Sequence, residues 1–192
     1  MWQVPMPEST HHRLSPLPAE TGDGTILGSH DGTSFRIAVI CARFNDEVTS
    51  RLVVGALRKL DECQVPETSR VLVYVPGSFE LPLAAQAVAK SGSFDAIVCL
   101  GAVIRGETAH FDFVAGQCAA GLQQVQLETG VPIAFGVLTT ENLLQALERS
   151  GGTLGNKGAE AVETAIEMGG VIRAISERGA TLRSRARTPL SY

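Results

Sequence analysis

DAIVCLGAVIRGETAHFDFV, residues 95–114, decides the fold and holds the candidate chemistry. Its apolar run, Ala96-Ile97-Val98-Cys99-Leu100, is too short for a helix and rich in β-branched residues. That reads as a buried strand of a parallel sheet. Gly101 is expected to let the chain leave the sheet, Arg105–Thr108 to form a polar loop, and a helix to start close to His110. In open α/β sheets ligands bind beyond the carboxyl ends of the strands. Free N–H groups at the start of the next helix favour an anion there. His110 is the only histidine outside the N-terminal segment, and histidine is the residue type whose unperturbed pKa lies nearest neutrality. A lone histidine is commonly structural, but a strand-to-helix turn is where a catalytic one would sit.

Outward from this stretch, the chain of 192 residues suits one domain with a real core. Apolar residues make up 44% and charged residues 19%, as in ordinary globular proteins. A formal net charge of -4 gives no sign of a nucleic-acid partner. No apolar run reaches the roughly 18–20 residues of a membrane helix. Cys41, Cys63, Cys99 and Cys118 lack CxxC spacing and lie in apolar or helical segments. They read as buried free thiols of a reducing compartment, the cytoplasm, and no zinc or other metal site is expected.

Residues 1–34 hold four of the nine prolines and three of the four histidines, with no sustained periodicity. They read as a poorly ordered leader, without the basic and apolar regions of a secretory signal. His11 and His12 read as solvated residues rather than metal ligands. The folded part starts at Phe35. Arg36–Ala42 is the first strand, and Asn45 or Asp46 is expected to cap a helix in which Val48, Leu52, Val53, Ala56, Leu57 and Leu60 recur at helical spacing. Arg70–Val75 is the second strand, and Pro82 fits the first turn of the helix that follows. Asp95–Leu100 is the third. The helix from His110 runs to about Thr129. Pro132–Val137 is the fourth strand, Thr139 or Thr140 caps a helix ending near Arg149, and Gly151–Asn156 is a Gly-rich connection. Lys157 starts a last helix ending near Glu177. The tail 179–192, with Arg183, Arg185 and Arg187, shows no apolar face and is expected to fray.

Alternating β and α elements imply a three-layer α/β/α sandwich around a four-stranded parallel sheet, most simply in the flavodoxin-like order 2-1-3-4. Four loops then share one edge of the sheet. They carry Phe44-Asn45, Gly77-Ser78-Phe79-Glu80, Arg105–His110 and Leu138–Thr140. Phe44 fits two readings, stacking on a planar ligand or stapling the start of its helix. Ser78 and Glu80 either hydrogen-bond a polar ligand or serve the next helix as cap and dipole partner. Arg149 either meets a phosphate or complements a helix end. Neither GxGxxG nor GxxxxGK[ST] occurs, so no dinucleotide or triphosphate site is expected. The residues alone lead to a small, planar, anionic ligand and one acid/base group.

Arg43-Phe44-Asn45, PGSFELP (residues 76–82), RGETAHF (residues 105–111), FGVLT (residues 135–139) and GNKG (residues 155–158) stand in an order and spacing similar to those of the 6,7-dimethyl-8-ribityllumazine synthases, which act late in riboflavin biosynthesis. The resemblance covers about Phe35 to Arg178. It implies condensation of 5-amino-6-(D-ribitylamino)uracil with 3,4-dihydroxy-2-butanone 4-phosphate, with no redox cofactor, metal or enzyme-linked intermediate. It places Phe44 on the pyrimidine, and Asn45, Gly77, Ser78, Phe79, Glu80, Ala102, Val103 and Ile104 around the ring and ribityl chain. Gly106, Glu107, Thr108 and Arg149 would take the phosphate, and His110 would move protons. Lys157 and Phe135 would complete the pocket, Phe135 from a neighbouring subunit. Phe79 stands where some relatives have Trp. The resemblance further implies a homopentamer, and the short 150–155 connection resembles that of members whose pentamers build a sixty-subunit shell. The competing readings are a flavin- or lumazine-binding or shell protein without turnover, and the related riboflavin synthase, which consumes lumazine.

Overall fold

The computed structural model describes residues 24–186, with side chains through Arg183. The readings made for residues 1–23 and 187–192 lie outside the described residues. Strands β1 (Ile37–Ala42), β2 (Arg70–Val75), β3 (Ala96–Ile104) and β4 (Ile133–Thr140) form one parallel sheet in the order β2-β1-β3-β4. Helices α1 (Asp46–Glu62) and α5 (Lys157–Ala186) cover one face, α2 (Leu81–Lys90) and α3 (His110–Thr129) the other. This is the expected three-layer, flavodoxin-like architecture.

Burial on both faces explains why β1 and β3 read as continuous apolar runs rather than as alternating ones. In β1, Ile37, Val39 and Cys41 enter the core under α1 and α5, while Ala38, Ile40 and Ala42 enter the core under α2 and α3. Each fully buried Ile, Leu or Val contributes about 1.5–3 kcal/mol. All four thiols are free and buried. Burial pushes Cys41 up to about 11 and Cys118 up to about 12, and Cys99 is raised as well. Among the described residues, no helix is long and apolar enough to cross a membrane.

Tertiary pairing extended several elements past the expected ends. β3 continues to Ile104, because Gly101, Ala102, Val103 and Ile104 pair with Val137, Leu138, Thr139 and Thr140 of a correspondingly longer β4. Gly101 is therefore not the exit from the sheet. A Cβ there would stand 2.6 Å from the Ser78 Oγ, so the glycine admits the segment after β2. Neither Thr139 nor Thr140 caps α4 (Leu143–Arg149), since both remain in β4. The cap is Asn142, whose Oδ1 accepts from the Gln145 N–H at 3.0 Å. The Gly-rich connection is a small antiparallel hairpin, β5 (Ser150–Gly152) and β6 (Gly155–Asn156), with Gly151 and Gly155 at φ of 126° and 79°.

α5 passes its expected end near Glu177 and continues to Ala186, so the first part of the tail is helical rather than frayed, with Leu182 exposed. Residues 24–34 lie against this helix. The Ser34 hydroxyl accepts from Arg173 at 2.8 Å, His30 meets Glu167 at 3.5 Å, and the Gly24 carbonyl accepts from Arg178 at 3.3 Å.

Candidate active site

The carboxyl ends of β1 to β4 face one edge, and the expected loops after β1, β2 and β3 follow them there, whereas the fourth expected loop, Leu138–Thr140, is the paired end of β4 itself. β1 pairs with β3 only as far as Cys41 with Leu100, whereas the β3–β4 pairing continues to Ile104. The β3 segment 101–104 thus outruns β1 and turns its backbone edge toward the loops after β1 and β2. Asn45 tests this geometry directly. It stands at the N-cap position of α1 in the left-handed region, φ 59° and ψ 51°, and its side chain does not cap the helix. Instead its Nδ2 donates to the Ala102 carbonyl at 2.8 Å. Asp46 does not cap either; its Oδ1 accepts only from the adjacent Glu47 N–H.

Phe44 is held by its backbone, its N–H donating to the Pro76 carbonyl at 3.2 Å, and its side chain is 70% exposed. A staple would be covered by the helix it fastens, so the ring is left available for stacking. Ser78 begins a 3-10 turn, Ser78–Glu80, and is buried against Gly101. It makes no capping hydrogen bond. Phe79 and Glu80 are exposed, and the Glu80 carboxylate curls back over Gly77. The Ala102 and Val103 side chains lie in the two cores, so at this edge they can offer a ligand only their backbone.

Gly106, Glu107 and Thr108 form an exposed turn ahead of α3, and His110, the first helical residue, is exposed beside it. Sequence reasoning passed over what fixes this turn. The Arg105 guanidinium donates to both carboxylate oxygens of Asp112 at 3.1 and 3.3 Å, pairs with Glu141 at 2.9 Å and lies 4.0 Å from the Phe111 ring centroid. Its backbone N–H donates to the Thr140 carbonyl at 2.9 Å. One side chain therefore ties the end of β3 to α3 and to the loop after β4, closing the 106–111 segment like a clasp. The available signal was a planar fork followed seven residues later by a carboxylate, spacing that no helical pairing rule covers.

Phe135, Arg149 and Lys157 form a second group on the outer edge of β4. They line a cavity of about 480 Å³ together with Thr139, Glu160 and Thr164. Phe135 is 45% exposed. Arg149 is half-buried at the end of α4, one N–H on the Gln145 carbonyl at 3.1 Å. Its neighbour Glu148 is turned away toward Thr153, whose hydroxyl and backbone N–H hold the carboxyl below its usual range. Lys157 pairs with Glu160. Phe44, Ser78, Glu80 and His110 do not line this cavity. Within one chain the expected site residues thus fall into two groups, one at the sheet end and one along β4.

Chemically, the first group offers an open aromatic face, backbone polar groups, an anion-ready turn and an imidazole. The second offers two cations beside a second aromatic ring. A profile of the 6,7-dimethyl-8-ribityllumazine synthase family matches residues 34–173. The chain is 51% identical over 152 residues to the 6,7-dimethyl-8-ribityllumazine synthase of Edwardsiella ictaluri (strain 93-146), covering 79% of this chain and 97% of that one. It is 52% identical over 133 residues to the enzyme of the same name from Protochlamydia amoebophila (strain UWE25), covering 69% of this chain and 77% of that one. With the profile spanning most of the chain and both relatives about half identical to it, the chain belongs to the 6,7-dimethyl-8-ribityllumazine synthase family.

Proposed function

We infer that this protein condenses 5-amino-6-(D-ribitylamino)uracil with 3,4-dihydroxy-2-butanone 4-phosphate, releasing 6,7-dimethyl-8-ribityllumazine, phosphate and water. The single observation that carries this reading is the family match across both groups of site residues. The ring amine attacks the ketone to give an imine with loss of water. Phosphate then leaves, the ring closes and a second water is lost. Phe44 stacks on the pyrimidine, and Asn45, Gly77–Glu80 and the 102–104 backbone hold the ring edge and ribityl chain. Gly106–Thr108 and Arg149 take the phosphate, for which a guanidinium fork is well shaped. His110 relays protons, and Phe135 and Lys157 close the pocket. The catalytic domain spans about residues 35–178, with the leader and the basic tail outside it. Four buried free thiols favour a reducing compartment such as the cytoplasm.

The working site forms between copies of the chain, the sheet end of one subunit meeting the β4 cavity of the next in a homopentamer. Support comes from Phe44 and Phe135, two exposed rings in separate half-sites. The short 150–155 connection favours further assembly into a shell. Mixing the protein with both substrates should give lumazine absorbance and phosphate release in equal amounts. Binding of the pyrimidine without turnover would instead favour a lumazine-binding protein. Arg149→Ala is expected to raise the KM for the butanone phosphate about 10–100-fold, the loss of a charge-assisted hydrogen bond, with a smaller effect on kcat. An unchanged KM would remove Arg149 from the phosphate site. Co-expressing His110→Ala with Arg149→Ala subunits restores about a quarter of the sites if the two residues come from different subunits. No recovery would place both in one.

A further inference from the structure

The second half of α5 carries a feature that catalysis does not use. Met168, Ile172, Ile175 and Leu182 are 42%, 40%, 51% and 58% exposed, and with Gly179 they recur at intervals of four, three, four and three residues. That is the period of a coiled-coil seam, with Ile172 and Gly179 at a positions and Met168, Ile175 and Leu182 at d positions. Spacing of this kind keeps one apolar line on one side of the helix for about 21 Å. The family profile ends at residue 173, whereas the helix reaches Ala186, so Ile175–Leu182 lies beyond the matched region.

Charge then selects the occupant. Arg178 and Arg183 flank the line at the g and e positions. Among the described residues the Arg178 side chain donates to the Gly24 carbonyl alone, and the Arg183 guanidinium lies across Gly179. Among the described residues neither forms an ion pair with a carboxylate. The sequence after Glu177 has no acidic residue, while Arg178, Arg183, Arg185 and Arg187 follow. Parallel pairing with a second α5 would set Arg178 against Arg183 of the other copy, a repulsion of the kind that e and g positions use to reject wrong partners. A helix with apolar a and d positions and carboxylates beside them would satisfy both features.

We propose that the exposed α5 seam, Met168–Leu182, is a docking surface for an acidic amphipathic helix of another protein. Two heptads of contact, interrupted by Gly179, make the complex weak and reversible, and its arginine flanks make it sensitive to salt.

The test uses the full-length protein and two fluorescent three-heptad peptides with Leu at a and d, one with Glu and the other with Lys at e and g. Anisotropy should report saturable binding of the acidic peptide and little of the basic one. The Arg178→Glu/Arg183→Glu double variant should weaken the acidic complex about tenfold and favour the basic peptide. Ile175→Glu/Leu182→Glu should abolish binding, with lumazine formation and sedimentation unchanged, because both side chains are exposed. Equal binding of the two peptides, or none, would overturn the proposal. So would a change in sedimentation on Ile175→Glu/Leu182→Glu, which would assign the seam to another copy of this chain.

Discussion

Replacing His110 with alanine is expected to slow turnover about 10²–10⁴-fold, the usual contribution of a positioned acid/base group. Loss should be incomplete. Much of the rate in a two-substrate condensation comes from holding the reactants together, worth up to about 7–11 kcal/mol in well-oriented cases. Under the proposed function those contributions would rest on Phe44, the 102–104 backbone and Arg149, which the variant leaves in place. The truncation should also leave the fold intact. His110 is exposed in the first turn of α3, and among the described residues its imidazole forms no hydrogen bond. kcat at saturating concentrations of both substrates decides the matter, with KM values expected to stay within a few-fold. A variant turning over at the parent rate would take His110 out of the mechanism.

Gly158→Ala is expected to destabilise the protein strongly for reasons remote from the chemistry. A Cβ at Gly158 would stand 2.2 Å from the Leu52 carbonyl oxygen, a backbone atom that moves only if α1 and α5 separate. Overpacking of this kind costs about 1–3 kcal/mol or more, which for a domain of this size lowers Tm by about 2–12 °C. The same crossing is knitted by Asn156. Its Nδ2 donates to the carbonyls of Arg51 and Ser150 at 2.9 Å, and its Oδ1 accepts from the N–H groups of Gly158 and Ala159 at 2.9 and 3.2 Å. Pushing α5 outward would therefore shift Lys157 and the β4 cavity, and activity should fall with stability. Gly116→Ala is the control. Its position in α3 has open space around it, so the better helix former should be neutral or stabilising by up to about 1 kcal/mol. Equal melting temperatures for Gly158→Ala and the parent would show that the helices adjust without strain.

The sequence by itself determined the layer architecture, the strand order, α3 from end to end and the motif residues. These rest on local signals: apolar runs of strand length, helical spacing, and Gly or Pro at turns. Arg70–Val75 and His110–Thr129 needed nothing more, because their boundaries coincide with breaks in those signals. Only the tertiary structure decided where β3 and β4 stop. A strand continues while a partner accepts its hydrogen bonds, and the partner of Gly101 is Val137, distant in sequence. The Asn45 hydrogen bond to Ala102, the Arg105 clasp and the Asn156 knot were hidden for the same reason, since each joins groups that the chain brings together only after the sheet has formed. The family resemblance had already set Phe135 apart on a neighbouring subunit, but that Arg149 and Lys157 lie on its side of the sheet was hidden as well. Motif order places Phe44 and Phe135 in one family signature, but a parallel sheet sets the loop after β1 at its end and the middle of β4 along its edge.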